Sequence, residues 1–300
     1  MHEIDTVVSN NRLLPEYVTL MSSDNHAFRY ARVLTIAGSD SGGGAGIQAD
    51  LKTFAALGCY GMSAITALTA QNTTGVRSIH PIPPAMLADQ IDAVVEDIGV
   101  DAVKIGMLHS PEIAQTVADA IDRHQLTQVV FDPVMVATSG AVLINPEAMA
   151  VLVQAVFPRV GVITPNLDEA ALLLGRAIST EAEMEEAATE LLAKGASAVL
   201  LKGGHLAGDT VSDLLMQAGG EKTWMRAQRI PTSNMHGTGC TLSAAIAAHM
   251  ALGKPLVNAV QSARIFVRGA LEAGAQIRTG HGSGPLNHGF GPQIMRRVVL

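Results

Sequence analysis

From Arg32 onward, short β-branched runs alternate with longer Ala- and Leu-rich stretches whose apolar residues recur at helical spacing. Arg32–Ala37, Ser63–Ala70, Ala102–Ile105, Gln128–Phe131, Gly161–Thr164 and Ala198–Leu201 read as strands. The stretches between them, Ile47–Leu57 (stopped by Gly58), Pro84–Ile98, Pro111–His124, Ala148–Phe157, Asn166–Leu174 and Glu181–Lys194, read as helices. In Pro84–Ile98, for example, Met86, Ile91, Val94 and Val95 supply the apolar spacing. The strands are apolar throughout rather than alternating, as expected of parallel strands covered on both faces. The pattern predicts an α/β fold: a three-layer α/β/α sandwich with a mostly parallel central sheet and right-handed crossovers. Val211–Met216 and Lys222–Ala227, with Gly219-Gly220 between them, read as a hairpin, and Thr238–Leu252 and Pro255–Ala275 as two closing helices. No repeat of 20–50 residues and no Pro/Ser-rich linker interrupts the chain, so residues 32–300 are expected to form one domain.

Composition narrows the function classes. Of 300 residues, 48% are hydrophobic and 16% charged, enough apolar material for a large core and against intrinsic disorder. The net charge of −7, with basic and acidic residues interspersed, offers no track for a phosphate backbone. One Trp, three Tyr and six Phe leave little for base stacking, so no nucleic-acid partner is expected. No apolar run reaches the roughly 18 residues of a membrane span. Residues 1–31 lack the basic start and long apolar block of a secretory signal and read as a poorly ordered arm, with Met21 a second candidate start. Cys59 and Cys240, far apart in sequence, do not suggest a disulfide framework; a reducing cytoplasm is the natural setting.

Ligands of open parallel sheets bind beyond the carboxyl ends of the strands, so the residues after each strand carry the candidate chemistry. The first strand runs into the glycine-rich stretch Gly38–Gly46, which can bring backbone close to a ligand. It has no Gly-Lys-Ser/Thr of a P-loop. Gly44–Ala49 formally fits G-x-G-x-x-A, but no acid between Asp50 and Asp89 is available for a ribose, and a tight turn with no ligand is a further reading. Gln71, at the end of the second strand, can offer a donor and an acceptor to a planar heterocycle, or simply cap the strand. Asp132, and Asn166 with Glu169, follow later strands; on one rim they could hold Mg²⁺, while separately they read as a turn residue and a capping-box helix start. Lys202, followed by Gly203-Gly204, suits phosphate contact or a snorkelling surface role. None of the ten histidines has zinc-ligand spacing. Gly237-Thr238-Gly239-Cys240, opening an apolar helix, leaves unpaired backbone N–H groups at the positive end of a helix dipole, an anion site for a transferring phosphoryl group. Helix N-termini lower thiol pKa values, so Cys240 is expected to be a thiolate there; the alternative is a glycine-capped helix with an inert cysteine.

These segments occur in order: Ile36–Thr53, Ala67–Thr73, Lys104-Ile-Gly-Met-Leu108, Asp132-Pro-Val134, Thr164-Pro-Asn166, Lys202-Gly-Gly-His205, His236-Gly-Thr-Gly-Cys-Thr241 and Gly282-Ser-Gly-Pro285. The set resembles the hydroxymethylpyrimidine/phosphomethylpyrimidine kinases of thiamine biosynthesis, of the ribokinase-like superfamily, from about Arg32 to Phe290. The resemblance implies phosphorylation by ATP of the hydroxymethyl group and then of the monophosphate. It implies that Gln71 binds the aminopyrimidine with Gly38, Asp40, Ala45, Met107 and Val134 shaping the pocket, and that Lys202 and Asn166 meet ATP. It further implies that Asp132 and Glu169 organise Mg²⁺, that the amides of Gly237, Thr238, Gly239 and Cys240 form the anion hole, and that the Cys240 thiolate takes the hydroxyl proton. A homodimer and room for a monovalent cation belong to the same expectation. Related pyridoxal and sugar kinases carry Asp where Cys240 stands, so the cysteine favours the pyrimidine branch. Pyridoxal kinase activity, or pyrimidine binding without turnover, are the alternatives. Met235, where a small polar residue is expected, and Ser41, in a position often held by Pro, depart from the pattern.

Overall fold

The computed structural model describes residues 27–135, 144 and 146–299. Residues 1–26 of the expected arm lie outside them; its end, Phe28–Tyr30 (β1), is a strand paired with Arg297–Val299 (β11), and Arg297 stacks on the ring of Phe28. These two strands carry the small unit of the chain, and the rest, Tyr30–Arg296, forms a second unit built on one sheet.

In chain order that unit contains β2 (Arg32–Asp40), α1 (Gly46–Ala56), β3 (Tyr60–Asn72), β4 (Gly75–Pro81), α2 (Pro84–Asp97), β5 (Ala102–Ile105), α3 (Pro111–His124) and β6 (Val129–Phe131). Then follow α4 (Pro146–Val151), β7 (Val162–Ile163), α5 (Leu167–Leu174), α6 (Glu181–Ala193), β8 (Ala198–Leu201), β9 (Thr210–Gln217), β10 (Lys222–Gln228), α7 (Thr238–Ala251) and α8 (Leu256–Gly274). Among the described residues the sheet runs β4-β3-β2-β5-β6-β7-β8-β9-β10, parallel from β3 to β8 and antiparallel at both edges. The predicted α/β class and mostly parallel sheet are those of the structure. The hairpin β9–β10 pairs Val211 with Ala227 and Met216 with Lys222.

Period-two alternation divides the buried strands between two helical layers. Leu34 and Ile36 of β2, Val103 and Ile105 of β5 and Val129 and Phe131 of β6 join Leu87 and Ile91 of α2, Val117 of α3 and Met184 of α6 in one core. The intervening residues Thr35 and Lys104, neighbours in register, face the opposite layer, where α1 and α7 pack and α8 covers α7. Three elements differ from expectation. The stretch expected as one helix over Ala148–Phe157 begins as α4 and continues as a wider π turn over Leu152–Val156 and a tight turn over Phe157–Arg159, where Pro158 cannot donate a helical hydrogen bond. Strand β3 runs on to Asn72, beyond the expected Ala70, and turns back through Thr73-Thr74 into β4. Strand β4 escapes the hydrophobic pattern because it is an exposed edge whose sequence, GVRSIHP, has no continuous or alternating apolar run. No described helix is long and apolar enough to cross a membrane.

Candidate active site

The chain crosses from β2 to β3 on one side and then to β5 on the other, so the sheet's direction of growth reverses at the carboxyl ends of β2 and β5. A ligand crevice is expected at such a reversal. The loop leaving β2 is organised by Asp40, whose buried carboxylate accepts the backbone N–H groups of Gly42 (2.8 Å), Gly44 (3.0 Å) and Ala45 (2.9 Å). Its Oδ2 also lies 2.8 Å from Nε2 of the buried His236. Burial alone would raise this carboxyl, but His236 and the loop amides hold it below its ordinary value. Asp40 therefore shapes the loop and offers no free carboxylate to a substrate. Ser41 holds the end of β3 against the same loop: its hydroxyl donates to Gln71 O (2.6 Å) and accepts from Gln71 N (2.8 Å).

The second wall is the start of α7. Gly237, its N-cap, has φ +84°, and a Cβ there would lie 1.8 Å from Gly44 O, so only glycine fits. No side chain caps the helix, and Thr238 turns its hydroxyl away to Met235 O (2.7 Å). The Thr238 N–H, expected in the anion hole, is likewise taken by Met235 O (3.2 Å), which leaves the N–H groups of Gly239 and Cys240, both partly exposed, for a ligand. Met235 stands on the rim, its side chain exposed. The expected thiolate is not what the structure favours. Burial pushes the Cys240 thiol up to about 11, outweighing the Lys104 ammonium and the Gly46 amide that pull it down, while Asp50 and Asp132 push it further up. Loss of water around the sulfur overrides the helix terminus.

The third wall comes from β6, β7 and β8. Lys202 Nζ donates to Asp132 Oδ1 (2.9 Å) and stands 3.8 Å from Glu169 Oε2. Thr164 (3.1 Å) and Ser243 of α7 (3.3 Å) also donate to Asp132. Burial would raise the Asp132 carboxyl, yet the ammonium groups of Lys202 and Lys104 keep it below its usual range. Glu169 goes the other way: burial pushes it up to about 7 despite Lys202. Asn166 and Glu169 form the expected capping box of α5, with Glu169 N donating to Asn166 Oδ1 (2.8 Å) and Asn166 N to Glu169 Oε2 (2.7 Å). The second and third walls meet at Gly239, where a Cβ would stand 3.2 Å from Lys202 Nζ and 3.5 Å from Asp132 Oδ2.

Gln71 and His236 share a cavity of about 330 Å³ with Asn72, Thr73, Gly282 and Ser283. Thr69 donates to Gln71 Oε1 (3.2 Å). Gly38 lies against Met107, since a Cβ on Gly38 would meet Met107 Cε at 2.8 Å, and Thr66 holds the loop after β5 by donating to Met107 O. Ala45 and Val134 are half-buried on the loops after β2 and β6. A second cavity, of about 430 Å³, is lined by Thr180, Glu181, Leu206, Thr210, Ser212 and Arg226, beside the loop that follows Lys202. Among the described residues no three or more His, Cys, Asp or Glu gather as a metal cluster. Residue-by-residue reading missed His236, Ser243 and the buried Lys104–Asp50 pair. A lysine inside the apolar run Ala102–Ile105 was the available signal for that pair.

A profile of the phosphomethylpyrimidine kinase family matches residues 40–287, a span that takes in every wall of this crevice. The chain belongs to that family. It is 52% identical over 259 residues to the hydroxymethylpyrimidine/phosphomethylpyrimidine kinase of Rhizobium meliloti strain 1021, covering 86% of this chain and 97% of that one. Among solved structures, the phosphomethylpyrimidine kinase of Clostridium difficile 630 superposes with a TM-score of 0.71 at 42% identity, covering 80% of this chain and 99% of that one. The pyridoxal kinase of Staphylococcus aureus in complex with AMP-PCP and pyridoxal gives a TM-score of 0.80 at 37% identity, over 87% of this chain and 94% of that one. The phosphomethylpyrimidine kinase family thus shares its ribokinase-like sheet with kinases of a second vitamin.

Proposed function

We propose that this kinase transfers the terminal phosphoryl group of ATP to the hydroxymethyl group of 4-amino-5-hydroxymethyl-2-methylpyrimidine. A second transfer, onto the monophosphate, then yields the diphosphate used in thiamine diphosphate biosynthesis. The observation that carries the reading is the meeting at Gly239 of a bare helix start, the Lys202 ammonium and the Asp132 carboxylate. Phosphoryl transfer requires alignment and charge neutralisation above all, and this meeting supplies both.

In this reading the Gln71 amide reads the edge of the aminopyrimidine, and Gly38, Ala45, Met107 and Val134 bound its ring. Asp40 acts on the substrate through the loop it ties. Lys202 and Asn166 face the ATP phosphates, and the amides of Gly237, Gly239 and Cys240 receive the charge that grows as the leaving oxygen departs. Mg²⁺ characteristically keeps several waters and binds through one or two carboxylates plus phosphate oxygens, and two buried carboxylates flanking a lysine fit that demand. Asp132 and Glu169 would hold the ion, which when bound neutralises phosphate charge. Cys240 in its thiolate form takes the hydroxyl proton in the first transfer. In the second the acceptor is already an anion and needs little deprotonation.

Phosphorylation of pyridoxal is a second reading, favoured by the likeness to pyridoxal kinase structures. The exposed Leu68 and Ile79, on adjacent strands of the β3–β4 edge, support a homodimer through that edge. Two cysteines without a disulfide, Cys59 buried and its thiol pushed up to about 12, fit a reducing, cytoplasmic setting. Product analysis after incubation with the hydroxymethylpyrimidine and MgATP tests the main reading, with one and then two phosphates expected. A kcat/KM higher for pyridoxal than for the pyrimidine would overturn it.

A further inference from the structure

Strand β8 stops pairing with β9 at Leu201, the partner of Leu214, and Lys202 is the first residue past its end. The backbone there is tied on both sides. Toward β7, Lys202 N donates to Pro165 O at 2.9 Å. Toward β9, the chain stays pressed on its neighbour, since a Cβ on Gly203 would lie 1.9 Å from Ser212 O. A side chain now stands in for the strand ladder: Gly203 N donates to Asp213 Oδ1 at 2.9 Å. The second oxygen, Asp213 Oδ2, accepts from Nε of Arg264 in α8 at 2.8 Å. Both side chains of this pair are largely buried, and Asp213 adjoins the apolar run Leu214, Leu215 and Met216 of β9. Apolar side chains of similar volume often stabilise a fold as well as a buried ion pair does, so stability alone does not account for it.

We infer that Asp213 is a positioning residue for phosphoryl transfer: held by Arg264, it fixes the backbone beside Lys202 and so aims the ammonium. The Lys202 side chain starts at the end of β8 and crosses β7 to reach Asp132 at the end of β6, where Nζ lies 2.9 Å from Oδ1. With the N–H groups of Lys202 and Gly203 both tied, that side chain leaves a fixed Cα in a fixed direction. The two glycines that follow do not hold the turn by themselves. Glycine gives up more conformational freedom on ordering than any other residue, and a Cβ on Gly204 would meet nothing within 4 Å. The far part of the loop has its own anchor, Arg229, which donates to the carbonyls of Gly204 (2.8 Å), Leu206 (2.8 Å) and Gly208 (3.0 Å). Asp213 holds the lysine end. Without its carboxylate the Gly203 N–H loses its acceptor, the turn is free to re-orient, and Nζ swings off the line to Asp132.

The inference rests on the reading that Lys202 faces the ATP phosphates, and a double-mutant cycle on kcat/KM for ATP tests it, with melting temperatures measured alongside. A misplacement of about 1 Å costs on the order of 10²-fold in rate, so Asp213→Ala should lower kcat/KM for ATP about 10- to 10²-fold when Lys202 is present. In a Lys202→Met background no ammonium remains to be aimed, and the same substitution should cost less than about threefold. A merely structural role would give the same factor in both backgrounds, and that result overturns the inference. An unchanged kcat/KM in folded Asp213→Ala overturns it too. Arg264→Leu should show the same pattern, with part of the activity kept in Arg264→Lys; a full kcat/KM in Arg264→Leu removes Arg264 from the assignment. Should Asp213→Ala fail to fold, Asp213→Leu/Arg264→Leu replaces the pair with apolar groups and is judged by the same cycle. Should Lys202→Met use ATP as well as the parent does, the phosphate reading of Lys202 falls. The ligand-free crystal structure of the folded Asp213 variant then decides: Nζ displaced from Asp132 supports the aiming role, and Nζ still hydrogen-bonded there overturns it.

Discussion

Replacing Gly237 with alanine disturbs the cradle without removing any reactive group. Two effects add. Alanine at φ +84° enters the left-handed region, at a cost of about 1–2 kcal/mol. Its Cβ would also stand 1.8 Å from Gly44 O, whereas real Cβ atoms essentially never come within 3.0 Å, so cradle and loop must part by about 1.2 Å, the difference between those distances. A misplacement of about 1 Å costs on the order of 10²-fold in rate, and one lost oxyanion donor about 10²–10³-fold. We therefore expect Gly237→Ala to lower kcat at least about 10²-fold in both phosphorylations, since both pass their charge to the same amides. The assay follows ADP release and mono- and diphosphate products separately, with the melting temperature measured alongside. A folded variant whose kcat stays near the parent's in both steps would refute the cradle.

Cys240→Ala should slow the first transfer by about 10²–10⁴-fold and the second markedly less; equal losses would contradict the base role. Lys202→Met should reduce kcat/KM for ATP by at least about 10²-fold, with partial recovery in Lys202→Arg, as expected when a charged group facing phosphate is lost; a kcat/KM unchanged in Lys202→Met would remove Lys202 from the site. Glu169 carries a pH signature. Its folded pKa, about 7, lies above its ordinary 4.5, so the folded state holds the proton more tightly and stability falls as pH rises between those values. Without Mg²⁺ or nucleotide, the melting temperature should decline across that window and the decline should vanish in Glu169→Gln; a slope unchanged in the variant would reject the assignment.

The parallel strands were legible because burial on both faces leaves them apolar end to end, and the capping box of α5 because Asn166 and Glu169 announce it at the right spacing. The strand β4 was not, since an exposed edge carries no hydrophobic period. Nor was the π turn over Leu152–Val156, whose composition is ordinary for a helix. In the site, the loops followed from the strand ends, so Asp132, Glu169, Lys202 and the start of α7 converge as the motifs suggested. The state of the sulfur did not follow. Cys240 sits at a helix start, which local sequence can show, but burial and the charges of Asp50, Lys104 and Asp132, which come from three elements distant in sequence, set its proton affinity. The partners of Asp40 were hidden for a similar reason: the loop amides and His236 that occupy its carboxylate become visible only when the chain closes on itself.

That carboxylate ties the loop after β2 to the start of α7, because the loop amides and the histidine preceding Gly237 converge on it. On the proposed assignment, in which the loop bounds the ring and the helix start receives the departing charge, ring recognition and turnover are not separable traits. Any variation in residues 41–45 that retunes which heterocycle is accepted also shifts the seat of the departing charge, and a lineage exchanging one vitamin precursor for another must re-adjust both ends together.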